Sequence, residues 1–167
     1  PRNRSYEEMR SDWRYSQLGA RQLTAGFPGA EGNRGSGEGE GVLAYVELSN
    51  LKLAHGSVGL SFPDVLGVVV KDLDVSGHSQ HGLDLHGSDI VATGIVANYT
   101  GCTAISVGGG DVTSLTSGNC SLSSSTAAGY ARITRTYNPG VSWSGVGNTY
   151  SDVVTFNGPH QGFLGGG

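Results

Sequence analysis

The stretch "HGLDLHGSDIVATGIVAN", residues 81–98, packs two apolar sets into one short run. Leu83 and Leu85 alternate with Asp84 and His86, the period of a strand buried on one face. Ile90, Ala92, Ile95 and Ala97 follow after a Gly-Ser-Asp turn. The same run sets His81, Asp84, His86 and Asp89 within nine positions, which poses two alternatives. Either these side chains form a metal or acid/base site, or they are the outward and turn residues of a repeating frame.

A comparison of the sequence with itself at a fixed offset supports the frame. At an offset of 22, Val46, Leu48, Leu51 and Leu53 are followed by Val68, Val70, Leu73 and Val75, and these by Ile90, Ala92, Ile95 and Ala97. A second set recurs after 23 and then 22 residues: Leu60 and Phe62, Leu83 and Leu85, Ile105 and Val107. Two or three short strands in each turn of about 22 residues is the length of one coil of a parallel β-helix, in which every coil buries its inward residues against its neighbours. A leucine-rich repeat of the same length would keep a fixed Leu and Asn pattern, which is missing. Val141 and Trp143 continue the frame, and Phe163 follows Val141 after 22 residues. Ile105 and Val141 are 36 apart, so one coil is 14 residues longer than the rest. Insertions in a solenoid project as loops, which predicts an overhang over residues 121–140 that gathers Tyr130, Arg132, Arg135 and Tyr137.

The chain divides by composition. Residues 1–25 hold a capping-box pattern, Ser5 and Glu8, with Tyr6, Met9 and Trp13 at helical spacing, and predict a short amphipathic helix. Residues 26–41 are a Gly-rich loop or linker whose four collagen-like triplets are too few for a triple helix. Residues 42–167 are the β-helix coils. A net charge of -4 and lysines only at Lys52 and Lys71 leave no basic stripe for nucleic acid. No apolar run approaches the roughly 18–20 residues of a membrane span. The first residues also lack a signal-peptide core, so secretion implies a signal already removed.

With Leu83 and Leu85 inward, Asp84 and His86 face outward about 7 Å apart. Coils about 4.8 Å apart put Ser61, Ser106 and Ser142 in the Asp84 column, and Pro63, Gly108 and Ser144 in the His86 column. Such a strip can hydrogen-bond a sugar polymer laid across the coils; it also suits a wetted sheet face. His81 and Asp89 fall at turns with no third ligand beside them, so no metal is assigned. Asp89 and Asp111 are read as turn caps.

The runs "LKLAHGSVGLSF" (51–62), "HGLDLHGSDIVATGIVANYTGCTAISVGGGD" (81–111), "RTYNPGVSWSGVGNTYS" (135–151) and "GPHQGFLGGG" (158–167) resemble the secreted right-handed parallel β-helix proteins of the pectate-lyase-like superfamily. The resemblance spans residues 43–167 and implies the right-handed fold more strongly than an activity. It implies Arg135, Tyr137 and His160 as substrate contacts. Two departures stand out: "SGNCSLSSSTAAGYARI" replaces the Asn and His residues of the long coil in similar chains, and the sequence stops part-way through a coil, as a fragment of a longer chain would. On acidic polysaccharide the expected chemistry is β-elimination, with Arg132, Arg135 or Ca²⁺ neutralising the uronate carboxylate and His86 or His160 as base. Hydrolysis needs two carboxylates across a bond, and only Asp84 stands out on the strip. No other cofactor is expected.

Cys102 and Cys120, 18 apart and so close to one coil, predict a disulfide. Sequons at Asn3, Asn98 and Asn119 point to a glycosylated extracellular or cell-surface protein. Two readings follow: a β-helix that binds, and can process, polysaccharide or glycoprotein; or a non-catalytic structural domain in an extracellular assembly with other copies or subunits.

Overall fold

The computed structural model describes residues 43–166. The expected helix and Gly-rich linker, and Asn3, lie outside the described residues. All regular structure among them is β, with no helix.

Strands alternate between two parallel sheets along the chain. One sheet holds β1 (Leu43–Ala44), β3 (Leu60–Leu66), β5 (Leu83–Ser88), β7 (Ile105–Gly108), β11 (Val141–Ser144) and β13 (Phe163–Gly166), hydrogen-bonded in that order. The other holds β2 (Glu47–Ala54), β4 (Val69–Ser76), β6 (Val91–Asn98), β10 (Ser121–Ala128) and β12 (Thr149–Phe156). Each strand therefore pairs with the strand one repeat away. The register matches the expected offsets: Leu48 pairs with Val70 and Val70 with Ala92, while Leu83 pairs with both Leu60 and Ile105. The columns read as inward are the core, with Val70, Leu73, Val75, Leu83, Leu85 and Ile105 fully buried. Burying side chains of this size contributes roughly 1.5–3 kcal/mol each.

The eight-residue strands are bent rather than straight. Asn50, Asp72, Gly94, Ser124 and Asp152 occupy one column, and all have left-handed φ values of 47 to 67°. This bend explains why the inward residues run Leu48, Leu51, Leu53: one left-handed residue shifts the alternation by a step. Asn, Asp and Gly tolerate that conformation best, which is why they recur here. Two further left-handed columns flank the strands five positions to either side, at Tyr45, Gly67, Asp89, Asn119 and Gly147, and at His55, Gly77, Tyr99, Gly129 and Asn157.

The structure corrects the expected overhang. Ser121–Ala128 is not a loop but core strand β10, paired with β6 and β12, with Leu122, Ser125 and Ala127 buried. The 14 extra residues divide between two corners. Gly109, Gly118 and Asn119 take the places of Gly87, Ser88 and Asp89, since the Gly109 backbone stacks on Gly87 and Asp89 N–H donates to Gly118 O. Residues 110–117, including the antiparallel pair β8 (Gly110–Asp111) and β9 (Thr116–Ser117), are thus one insertion. Gly140 and Pro139 take the places of Ala104 and Thr103, and Ala131 N–H reaches back to Cys102 O, so residues 132–137 are the second. Every residue of both insertions is exposed.

The insertion before β10 also removes the expected disulfide: both cysteines are free thiols. Strand β10 sits 30 residues after β6, not 22, so a spacing of 18 does not bring Cys102 opposite Cys120. Cys102 lies in the corner beside Gln80 and Ala131, whereas Cys120 heads the inward side of β10, its Sγ against Gly87 O and Gly118 O. Cys120 fills the core position held by Ile90 one repeat earlier, as a small apolar residue. Burial pushes its thiol pKa up.

Candidate functional site

The outward strip exists with one change. Asp84 pairs with Ser61 and Ser106, and Ser106 with Ser142, so the expected hydroxyl and carboxylate column is continuous over four repeats. His86 pairs with Gly108, above which the Ser144 hydroxyl leans. Pro63 does not join that column. Phe62 pairs with Leu85 and Val65 with Gly87, so Pro63 and Asp64 together oppose His86 in a bulge.

These side chains bond one another. His86 Nε2 lies 3.1 Å from Asp84 Oδ1 and 3.1 Å from Ser106 Oγ, and Ser61 Oγ donates to Asp84 Oδ2 at 3.4 Å. The His86 hydrogen bond holds the Asp84 carboxyl below its ordinary 3.8, with burial opposing and the nearby His81 assisting. The Asp84 hydrogen bond raises His86 above 6.5, again against burial. An ionised Asp84 only accepts, so Nε2 carries the proton and donates to it. Ser106 meets that same protonated nitrogen and cannot pass its own proton there. A serine nucleophile relay needs carboxylate and hydroxyl on opposite ring nitrogens, and this geometry excludes it. Nδ1 of His86 has no hydrogen-bond partner among the described residues and is the ring atom that can take up a proton.

A Ca²⁺ ion on the strip would meet oxygens already hydrogen-bonded. That ion takes about six to eight oxygens, and Asp84, the strip's carboxylate, is engaged by His86 and Ser61. Among the described residues no three His, Cys, Asp or Glu side chains gather as metal ligands would.

The second candidate cluster lies at the corner that leads into β5, β7 and β11. Ile133 and Thr134 N–H donate to Gly101 O, Arg132 N–H donates to Thr100 O, and Thr103 Oγ1 donates to Asn138 Oδ1. On the other side Tyr130 Oη donates to His160 O, and the Tyr137 and His160 rings lie 6.0 Å apart. Arg132, Arg135 and Tyr137 thus share one insertion, with His160 beside Tyr137, a neighbour the spacing did not predict, and no hydrogen bond or ion pair among the described residues joins them to Asp84 or His86. The corner also recruits Tyr99, whose ring lies 5.4 Å from the Arg132 guanidinium. The sequence reading missed Tyr99; the signal available was its place in a left-handed column otherwise filled by His, Gly and Asn, a position that turns its ring outward.

Of the sequon asparagines, Asn98 ends β6 with Oδ1 buried and unpartnered, while Asn119 is exposed and donates Nδ2–H to Asp89 Oδ1. Asp111 accepts from Thr113 N–H and Ser114 Oγ–H within its hairpin, the turn-capping role. No family model matches the chain, and neither the curated proteins nor the solved structures compared with it include a match.

Proposed function

We propose that residues 43–166 are successive coils of a right-handed parallel β-helix, as in the pectate-lyase-like proteins, and that the outer face of β3, β5, β7 and β11 binds polysaccharide outside the cell. The alternation of strands between two parallel sheets, each paired one repeat onward, supports the coil reading. The observation that carries the binding reading is the unbroken outward line Ser61, Asp84, His86, Ser106 and Ser142. Its groups, half-buried apart from the exposed Ser61, include both donors and acceptors and recur at the strand spacing of about 4.8 Å, so a polymer with several hydroxyls per sugar can exchange bonds with it rung by rung. If the bound sugar is also cleaved, His86 Nδ1 is the atom to take up the proton α to a uronate carboxylate, with Asp84 holding the ring and stabilising its charged form.

A second reading, a non-catalytic structural domain of a cell-surface or matrix glycoprotein assembly, is favoured by one observation: the strip satisfies itself, with Asp84 bonded on both oxygens. A panel of plant, bacterial and matrix polysaccharides separates the two. The binding reading expects at least one ligand whose affinity falls about tenfold or more in both Asp84→Ala and His86→Ala. A ligand profile identical in wild type and both variants removes the strip as a site. Silence across the panel, with lowered thermal stability in Asp84→Ala, supports the structural role.

A further inference from the structure

The cations among the described residues are held in two different ways. Lys52 and Lys71 sit inside β2 and β4, where the register pairs Lys52 with Asp74 and Lys71 with both Ser49 and Thr93. Their ammonium groups are engaged as well, Lys52 with Asp74 at 2.7 Å and Lys71 with Glu47 at 3.0 Å. Arg132 and Arg135 lie instead in the exposed insertion 132–137, outside every strand, and no carboxylate among the described residues pairs with either.

The two arginines differ in how their backbone is tied. Arg132 N–H donates to Thr100 O, and Ile133 and Thr134 N–H both donate to Gly101 O, so the Arg132–Ile133 bond is fixed to the neighbouring repeat. Beyond Thr134 that tie stops. Among the described residues, Arg135, Thr136 and Tyr137 make no backbone–backbone hydrogen bond, and the bond from Asn138 Nδ2–H to Thr136 O is internal to the crown. The chain is anchored again at Asn138, which accepts from Thr103 Oγ1, and at Pro139 and Gly140, whose carbonyls accept from Ala104 and Ile105 N–H.

An endoprotease of trypsin specificity needs a basic side chain for its S1 pocket and a backbone free to lie in its cleft. A strand already paired in a sheet, or a segment tied to its neighbour, supplies that backbone only by opening first. Exposed loop tips meet the requirement without opening. The Arg135–Thr136 bond satisfies both conditions, whereas the bonds after Lys52, Lys71 and Arg132 satisfy only the first.

A cut there leaves the pieces joined. Strand β11 pairs with β7 and β12 with β10 across it. Tyr130 Oη donates to His160 O, Tyr150 Oη to Val107 O and Asn148 Nδ2–H to Gly109 O, each bond linking the two sides. Val141, on the far side of the cut, is fully buried in the shared core. Cys102 and Cys120 both precede the cut, so no disulfide takes part.

We infer that the insertion is a processing site: a protease of trypsin specificity hydrolyses the Arg135–Thr136 bond of the folded protein, and residues 1–135 and 136–167 stay assembled as a two-chain form. Water adds across the amide, leaving a carboxylate on Arg135 and an ammonium on Thr136. The inference requires no bound sugar and does not depend on the Asp84 and His86 strip.

The test is brief digestion of the full chain with trypsin under native conditions, read by mass spectrometry at successive times. Within residues 43–167, the Arg135–Thr136 bond of the intact chain should be cut at least tenfold faster than the bonds after Lys52, Lys71 and Arg132. The fragment 136–167 should co-elute with the remainder in size exclusion and separate from it in denaturant. Arg135→Gln should abolish the fragment that begins at Thr136, and Arg132→Gln should leave its rate within twofold of wild type. Both arginines are exposed, and an unchanged far-ultraviolet circular dichroism spectrum verifies the fold of each variant. The inference is overturned if any of the other three bonds is cut as fast, because the site is then reached through general opening. It is equally overturned if Arg135–Thr136 resists until the protein is heated to unfolding, or if 136–167 elutes apart from the remainder without denaturant.

Discussion

One proton position sets what the Asp84 and His86 pair can do. With Nε2–H committed to the carboxylate, His86 offers only Nδ1 for chemistry, and Ser106 is a spectator hydroxyl. The pair also has a defined pH window. Asp84 has a depressed folded pKa, so its contribution to stability is present above the ordinary 3.8 and is lost as pH falls through the depressed value. His86 has a raised one, so its contribution is complete below 6.5 and is lost as pH rises through the raised value. Their overlap peaks between 3.8 and 6.5, and at this degree of exposure it amounts to less than about 1 kcal/mol. NMR titration of the His86 ring should give a midpoint above 6.5 that falls in Asp84→Asn. A midpoint unmoved by that substitution would show that the hydrogen bond does not tune the imidazole.

At the scale of elements, strand β10 shows where sequence signals fade. "SLSSSTAA" has one large apolar residue, Leu122, and its inward Ser125 looks like loop chemistry. In the structure that hydroxyl is buried and satisfied twice, donating to Ser123 O at 2.6 Å and accepting from Ile95 N–H at 3.0 Å. A polar residue at an inward position is tolerated because it finds one partner in its own strand and one, Ile95 N–H, in the neighbouring strand. The two insertions are dispensable to this ladder. Deleting residues 110–117 joins Gly109 to Gly118 and restores the spacing seen between Gly87 and Ser88. The shortened protein should keep its β spectrum and lose no more than about 1–2 kcal/mol, since the lost residues are all exposed. Chemical denaturation checks this; a loss of the unfolding transition would mean that the hairpin is part of the core.

Across the described residues, enclosure varies along the two parallel sheets. Inward side chains of the central repeats, such as Leu73, Leu85 and Ile95, are fully enclosed by the repeats on either side. In β12 and β13 the inward Val153 is only half-buried, and Phe163 is 42% exposed. If the two sheets are the successive coils proposed above, stability comes from nearest-neighbour interfaces, and local opening should be easiest where enclosure is least. Amide hydrogen exchange should therefore be slowest in β4 and β6 and at least tenfold faster in β12 and β13. Uniform protection across the strands would contradict a repeat-by-repeat account.

The period of 22, the inward columns and the outward places of Asp84, His86, Ser106 and Ser142 were all legible in the sequence. Alternation is a local property, and a parallel register simply repeats it. The total of 14 extra residues was legible too, but not where they go. A loop and a strand of small polar residues read alike until the neighbouring strands show which backbone groups are paired. The cysteine spacing misled for the same reason, because opposition between columns depends on the insertions that intervene. Only the tertiary structure showed that Tyr99 lies under Arg132 and that Tyr137 lies beside His160. Which side chains meet across a corner is set by the stacking of residues 22 to 36 positions apart, and no local pattern encodes that.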